Sequence, residues 1–230
     1  MTPATTRRLL TCGAIGGPFF IVAFLVEGAT RDGYDPVRHP VSSLALGDFG
    51  WTQTANFLVT GTLMLAFAFG LRPALLPGRG ARWAPLLVGM YAIGLIGAGV
   101  FVTDPVNGYP PGTPDKGAQT TVGLLHDLFS APVFLALPIA CFVLARRFTG
   151  TRQVGWAVYS LVTPVLFLAT FFMAGLGFSG QEGLIEVGGL YQRLSIVIGW
   201  TYLSLLAVHL LRAGAAQGTV SLPGDRRSAA

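Results

Sequence analysis

The sequence predicts an all-α, polytopic membrane protein: a bundle of six transmembrane helices with a short folded cap segment on its outer face. The chain is 52% hydrophobic and only 11% charged, whereas a soluble domain carries about 25% charged residues. The charges cluster between apolar runs of roughly 20 residues, the length needed to cross a hydrocarbon core of ~30 Å. A transmembrane β-barrel would instead show short segments of alternating hydrophobicity.

Six apolar runs form the predicted bundle, and each is long enough to span a bilayer at a rise of ~1.5 Å per residue. The first run has no small-residue cleavage site after it, so we interpret it as a membrane helix rather than a signal peptide. Gly13, Gly17 and the glycine-rich stretch 92–99 predict close contacts for the first and third helices. The runs are Leu9–Val26, Thr52–Leu71, Trp83–Val102, Val122–Ala145, Val154–Leu176 and Leu190–Leu211.

Charge asymmetry predicts the orientation. Both termini and the loops on their side hold eleven basic residues and one acid, while the opposite loops hold four basic and nine acidic residues. The positive-inside rule therefore predicts a cell-membrane protein with both termini in the cytoplasm. We expect one transmembrane domain, residues 1–212, and a disordered cytoplasmic tail, residues 213–230. The net charge of +5 does not indicate nucleic-acid binding, because the basic residues are scattered in short loops.

The stretch from His39 to Asn56 is the most unusual part of the chain. It is too polar and too rich in turn residues for a membrane helix, yet its apolar spacers, such as Val41 and Leu44, are unusual in a solvated loop. We therefore expect the segment His39–Asp48 to fold as a cap against the outer face of the bundle.

Three polar residues near the predicted outer face are the candidate catalytic residues: His39, Asp104 and His126. We expect them to converge in one outer pocket, where they are also candidate zinc ligands. Imidazole and carboxylate groups bind zinc, which activates water for hydrolysis. The structural alternative is a hydrogen-bonded clamp that holds the cap on the bundle.

Five further residues are candidate binding residues around that pocket, because polar groups within membrane segments are costly and are usually functional or paired. Gln53 and Asn56 are three residues apart and share a helix face, which should point inward because lipid offers an amide no partner. Arg193 is expected to be the counter-ion of a carboxylate. The set is Ser43, Gln53, Asn56, Asp127 and Arg193.

Four segments carry a resemblance to a known family: 39–57, 101–108, 123–134 and 189–200. Together they resemble the bacterial and archaeal membrane family catalogued as domain of unknown function 998, over about residues 9–211. The resemblance implies a multi-helix integral membrane protein and names no activity. It also implies an acidic residue beside the arginine that opens the last helix, where this chain has Gln192.

Three classes of function stay open. The first is a metal-dependent hydrolase or transferase that acts on lipid-like substrates at the outer leaflet. The second is a protein that binds or transports a small ligand, and the third is a structural or sensory membrane protein without catalysis. The expected partners are the lipid bilayer and a lipid-like or small-molecule ligand. The sequence predicts no oligomeric state.

Overall fold

The computed structural model describes residues 1–115 and 117–220, and it describes side chains as far as residue 215. Within these residues the protein is all-helical, and six helices are long and apolar enough to cross a membrane. The predicted all-α class with six transmembrane helices is thus confirmed, while the outer-face position of the cap segment stays a prediction. The helices are α1 (Pro3–Thr30), α2 (Gly50–Leu75), α3 (Trp83–Val100), α4 (Thr121–Gly150), α5 (Val154–Phe178) and α6 (Gly188–Val220), with short 3₁₀ helices at Val41–Ala45 and Ile185–Val187.

Most helices extend beyond the apolar runs that predicted them. The α1 helix begins at Pro3, after Thr2, whose hydroxyl accepts a hydrogen bond from the backbone N–H of Thr5. The α6 helix continues to Val220, so residues 213–220 of the predicted disordered tail are helical. Residues 221–230 and Lys116 lie outside the described residues.

The six helices form a closed ring in chain order: each packs against the next, and α6 packs against α1. At one end of the ring, the terminal end, lie the N-terminus and the α2–α3 and α4–α5 connections. At the other end, the loop end, lie the α1–α2 loop (31–49), the α3–α4 loop (101–120) and the α5–α6 connection (179–187). All of the candidate site residues belong to the loop-end half.

Aromatic side chains fill the centre of the ring of helices. Trp200 stacks on Phe20 with ring centroids 5.1 Å apart, and Tyr91 meets Trp200 edge-on at 5.5 Å. Glycines let the surrounding helices approach this core: a Cβ at Gly17 would collide with α6, and one at Gly97 would collide with the ring of Phe129. The close contacts predicted for α1 and α3 are therefore present.

Candidate functional site

The α1–α2 loop is held in shape by Arg31, which directly follows α1. Its guanidinium donates hydrogen bonds to the carbonyls of Leu44 and Leu46, both at 3.1 Å, and of Phe49, at 3.0 Å. It also reaches the Thr52 hydroxyl on α2 at 3.3 Å. A planar group with five fixed donors suits such a set of carbonyls, so one side chain fixes most of this loop.

The loop is also bonded to the start of α6. The first N–H groups of a helix have no acceptor within it; here Gly189 N–H donates to the carbonyl of Arg38 at 3.1 Å, and Leu190 N–H donates to that of Val37 at 2.8 Å. The Gln192 side-chain oxygen also accepts a hydrogen bond from the backbone N–H of Val41 in the loop, at 2.7 Å. The α1–α2 loop therefore packs on the first turn of α6.

Arg193 is buried at this junction, with 9% of its surface exposed. It donates to the carbonyls of His39 at 2.9 Å and Gly189 at 3.1 Å, and to the hydroxyl of Tyr34. Its guanidinium also lies 5.5 Å from the Tyr34 ring centroid. Both ion pairs among the described residues belong to Arg38 instead. The prediction of a carboxylate partner for Arg193 is thus wrong, because carbonyls and a phenol satisfy its donors.

His39 is buried with both ring nitrogens engaged. Nδ1 accepts a hydrogen bond from Asp35 N–H at 2.8 Å, which assigns the ring proton to Nε2, 3.2 Å from the carbonyl of Asn107. The ring packs against those of Tyr34 and Tyr109, at centroid distances of 5.5 and 5.2 Å. Burial lowers the pKa of His39 below its ordinary value. The neutral imidazole thus ties the α1–α2 loop to the α3–α4 loop.

Asp104 holds the beginning of α4. One carboxylate oxygen accepts from the backbone N–H of Thr120 at 2.8 Å, and the other accepts from the Thr120 hydroxyl at 2.7 Å. Thr120 in turn caps α4 by accepting from Gly123 N–H at 3.0 Å. A carboxylate near a helix N-terminus is electrostatically favourable, so this contact is a structural latch between the α3–α4 loop and α4.

His126, in the first turns of α4, contacts both the end of α3 and a cavity inside the ring of helices. Its Nδ1 donates to the carbonyls of Ala98, at 3.1 Å, and Phe101, at 2.8 Å, which end α3 and lack intrahelical donors. Its Nε2 has no hydrogen-bond partner among the described residues, and the side chain lines a cavity inside the ring. With the proton on Nδ1, Nε2 is a free acceptor on a side chain that lines the cavity.

The predicted triad does not assemble into a metal site. Among the described residues, no three or more His, Cys, Asp or Glu side chains are placed to hold a metal ion. His39 is instead bonded to the backbone of Asp35 and Asn107, Asp104 to Thr120, and His126 to Ala98 and Phe101. Of the three, His39 joins the α1–α2 loop to another element, and both the clamp and a catalytic role stay predictions.

Gln53 and Asn56 are both buried, as predicted for amides in a membrane helix. The Asn56 amide donates to the Gln53 side-chain oxygen at 3.1 Å and to the carbonyl of Phe20 on α1 at 3.3 Å. Ser43, in the α1–α2 loop, is also buried, and its hydroxyl has no partner among the described residues. A ligand-binding role for these three residues stays a prediction.

A cavity of about 530 Å³ occupies the loop-end half of the ring. Aromatic and aliphatic side chains line most of it, and Pro40, Val41 and Ser42 of the α1–α2 loop cover one side. Of the predicted site residues, His126 and Asp127 line the cavity, whereas His39, Ser43, Gln53, Asn56, Asp104 and Arg193 do not. Its lining side chains with polar groups are Ser42, Tyr91, Thr103, His126, Asp127, Ser130, Gln192 and Trp200.

The cavity opens sideways between α4 and α5. Four of its lining residues are exposed: Asp127, Ala131 and Leu135 on α4, and Gly175 on α5. The three on α4 are spaced four residues apart and therefore follow one line along the helix surface. Ala131 and Gly175 have little side chain to fill the gap, so the opening faces the region that lipid occupies.

Sequence reasoning missed Ser42, Ser130 and Gln192 as cavity residues. Ser130 lies one turn after His126 and shares its helix face, a signal that was available in the sequence. Gln192 stood out only as a departure from a resembling family. Ser42 enters the lining because of how the α1–α2 loop folds, and no local pattern indicates that.

A family model described as "Protein of unknown function (DUF998)" matches residues 14–209 of the chain. No curated protein and no solved structure matches the chain.

Proposed function

Because the chain belongs to this family, whose description names no activity, we propose its function from the cavity: it binds an amphipathic, lipid-like molecule that enters from the bilayer between α4 and α5. The lateral opening of a mostly apolar cavity carries this proposal. Of the three classes that the sequence leaves open, ligand binding is the one that the cavity favours.

The size and lining of the cavity fit such a ligand. Small-molecule sites typically enclose about 300–1,000 Å³ and combine apolar walls with a few placed polar groups. From Gln192 to Trp200 along α6, the cavity extends eight residues, or ~12 Å at the helical rise. That is close to half of a ~30 Å hydrocarbon core, the depth of one leaflet. A lipid-like molecule can therefore move in sideways without changing its depth.

The polar groups favour a head group with N–H or O–H donors. His126 offers a free ring nitrogen, and Asp127 a carboxylate at the opening, so both act as acceptors. The hydroxyls of Ser42, Thr103, Ser130 and Tyr91 can donate or accept, and the Gln192 amide and the Trp200 indole N–H can donate. Because the charged side chain of the lining is the Asp127 carboxylate, an amine or hydroxyl head group fits better than a carboxylate.

Hydrolysis is not included in the proposal. A zinc-activated water needs converging ligands, and the described His, Asp and Glu side chains provide no such group. Nor does the cavity contain a nucleophile bonded to a base: the hydroxyls of Ser42 and Ser130 have no hydrogen bond to His126 in the structure.

Quenching of Trp200 fluorescence tests the binding. Trp200 lines the cavity and is 1% exposed, so a single-chain amine with a brominated chain should quench it in a saturable way. The other three tryptophans, Trp51, Trp83 and Trp156, are replaced by phenylalanine to leave one reporter.

A pair of glycines on α5 supplies the matched variants. A Cβ at Gly175 or at Gly155 meets nothing within 4 Å, so both positions accept a large side chain, but only Gly175 lines the cavity. Gly175→Phe should abolish saturable quenching, and Gly155→Phe should leave it unchanged. Equal quenching in both variants, or quenching that never saturates in the parent, refutes the proposed site.

We further propose that the protein lies in the cell membrane with both termini in the cytoplasm, which places the cavity in the outer leaflet. The charge asymmetry between the two ends supports this orientation. Single cysteines at Arg79, Gln119, Thr151 and Glu182, in a cysteine-free background, should react with an impermeant maleimide from outside at Gln119 and Glu182 only. The opposite pattern overturns the orientation.

A further inference from the structure

A second concave site lies at the opposite end of the ring. A groove of about 640 Å³ runs between α2 and α3 at the terminal end, and it is distinct from the cavity proposed above. Its walls include Ala68, Phe69, Leu86, Gly89 and Met90, and two arginines line it, Arg72 of α2 and Arg82 just before α3. It combines a long apolar surface with a cationic end.

The groove exists because two small residues face each other. A Cβ built on Gly89 would have one neighbour within 4 Å, the Cβ of Ala68 at 3.9 Å. The two helices thus leave between them a space that no side chain fills. Phe69, Leu86 and Met90 are exposed along it, so its apolar walls lie against hydrocarbon.

The two arginines are not satisfied within the protein. Neither arginine belongs to an ion pair: the two ion pairs among the described residues both involve Arg38. Within the described residues neither Arg82 nor Arg72 makes a side-chain hydrogen bond, and the guanidinium of Arg82 lies 5.6 Å from the ring of its neighbour Trp83. By contrast, Arg147 at the same end donates to the carbonyls of Leu75 and Arg79.

We propose that this groove binds an anionic phospholipid, whose phosphate lies between Arg72 and Arg82 and whose acyl chain lies along Ala68 and Gly89. Guanidinium groups bind phosphate oxygens with paired donors. Basic pockets between membrane helices select acidic head groups in this way. A zwitterionic lipid would fill the apolar part equally well but would bring a cationic group toward the two arginines. Charge therefore determines the preference.

The experiment uses the purified full chain in detergent, titrated with palmitoyl-oleoyl phosphatidylglycerol or the matching phosphatidylcholine and followed by native mass spectrometry. One phosphatidylglycerol should bind with a clear preference over phosphatidylcholine. Arg72→Gln with Arg82→Gln should weaken its binding by about 30-fold, the loss expected when two arginine–phosphate attractions are removed. Equal binding of the two lipids overturns the proposal.

Two controls separate the site from general charge and from folding. Arg146→Gln with Arg212→Gln removes two exposed arginines outside the groove and should leave binding within two-fold. Gly89→Leu fills the groove while keeping both charges and should also prevent binding, whereas Gly155→Leu, at an open position on α5 outside the groove, should not. The proposal fails if the Arg146/Arg212 variant loses as much binding as the Arg72/Arg82 variant, or if Gly89→Leu binds normally.

Discussion

Replacing Arg193 with methionine should destabilise the protein by about 3 kcal/mol. The guanidinium makes three hydrogen bonds, two to carbonyls and one to the Tyr34 hydroxyl, worth about 1 kcal/mol each or slightly more because the donor is charged. Its position over the Tyr34 ring adds about 1 kcal/mol. Removing a buried charge also removes its desolvation cost, which offsets part of the loss.

The contribution of Tyr34 can be separated by a double-mutant cycle. Burial raises the pKa of Tyr34 to about 12, so the hydroxyl stays protonated; it accepts from Arg193 and donates to the carbonyl of Pro40 at 2.9 Å. Tyr34→Phe should cost about 1.5 kcal/mol. Since the two residues share one hydrogen bond, the double variant should cost about 1 kcal/mol less than the sum of the single variants.

Unfolding in mixed micelles, titrated with sodium dodecyl sulfate, measures these free energies. Arg212→Met is the control, because Arg212 lies on the same helix and is exposed; it should change the free energy of unfolding by less than about 0.5 kcal/mol. The account of the α1–α2 junction fails if Arg193→Met costs no more than this control. It also fails if the effects of the Arg193 and Tyr34 substitutions simply add.

Three other predictions concern the loop end. Because burial lowers the pKa of His39, the imidazole binds a proton more tightly in the unfolded chain than in the folded protein. The free energy of unfolding should therefore stay constant above about pH 6.5 and fall below it. His39→Gln should remove that fall. Asp104→Ala should cost about 1–2 kcal/mol through the lost latch on α4, against no measurable cost for the exposed Asp48→Ala in the same denaturation assay. Asn56→Leu should cost about 2 kcal/mol because it removes the hydrogen bond to the buried Gln53 side-chain oxygen. Adding Gln53→Leu should recover part of that cost, and a double variant less stable than Asn56→Leu contradicts this.

Hydropathy predicted the number and positions of the helices because a membrane span imposes its length on the sequence. It underestimated their lengths, since the end turns of α1 and α4 carry polar residues such as Arg7 and Arg147 beyond the apolar runs. Length alone contains no information on those turns. Those turns lie beyond the apolar runs, so local signals decide them, such as the Thr2 cap at the start of α1.

The candidate site was predicted less completely, for a different reason. The inward direction of Gln53 and Asn56 followed from the chemistry of amides in lipid, and it was correct. The zinc triad was expected from residue types at similar depth, but backbone groups at helix ends compete for the same side chains. His126, for example, uses its Nδ1 for hydrogen bonds to the carbonyls at the end of α3, and these contacts can be seen only in the packed structure.

The contacts that close the cavity explain why its opening lies between α4 and α5. On the loop side, Arg31 and Arg193 bind the α1–α2 loop through its backbone carbonyls, so opening it there would break several charged hydrogen bonds at once. Toward the terminal end, the stacked rings of Phe20 and Trp200 occupy the centre of the ring. Between α4 and α5, the exposed lining positions Ala131 and Gly175 carry little side chain, while the rings of Phe134 and Phe171, 3.8 Å apart, stack between the same two helices. We therefore expect the proposed ligand to enter from the bilayer at Ala131 and Gly175, where the side chains are smallest.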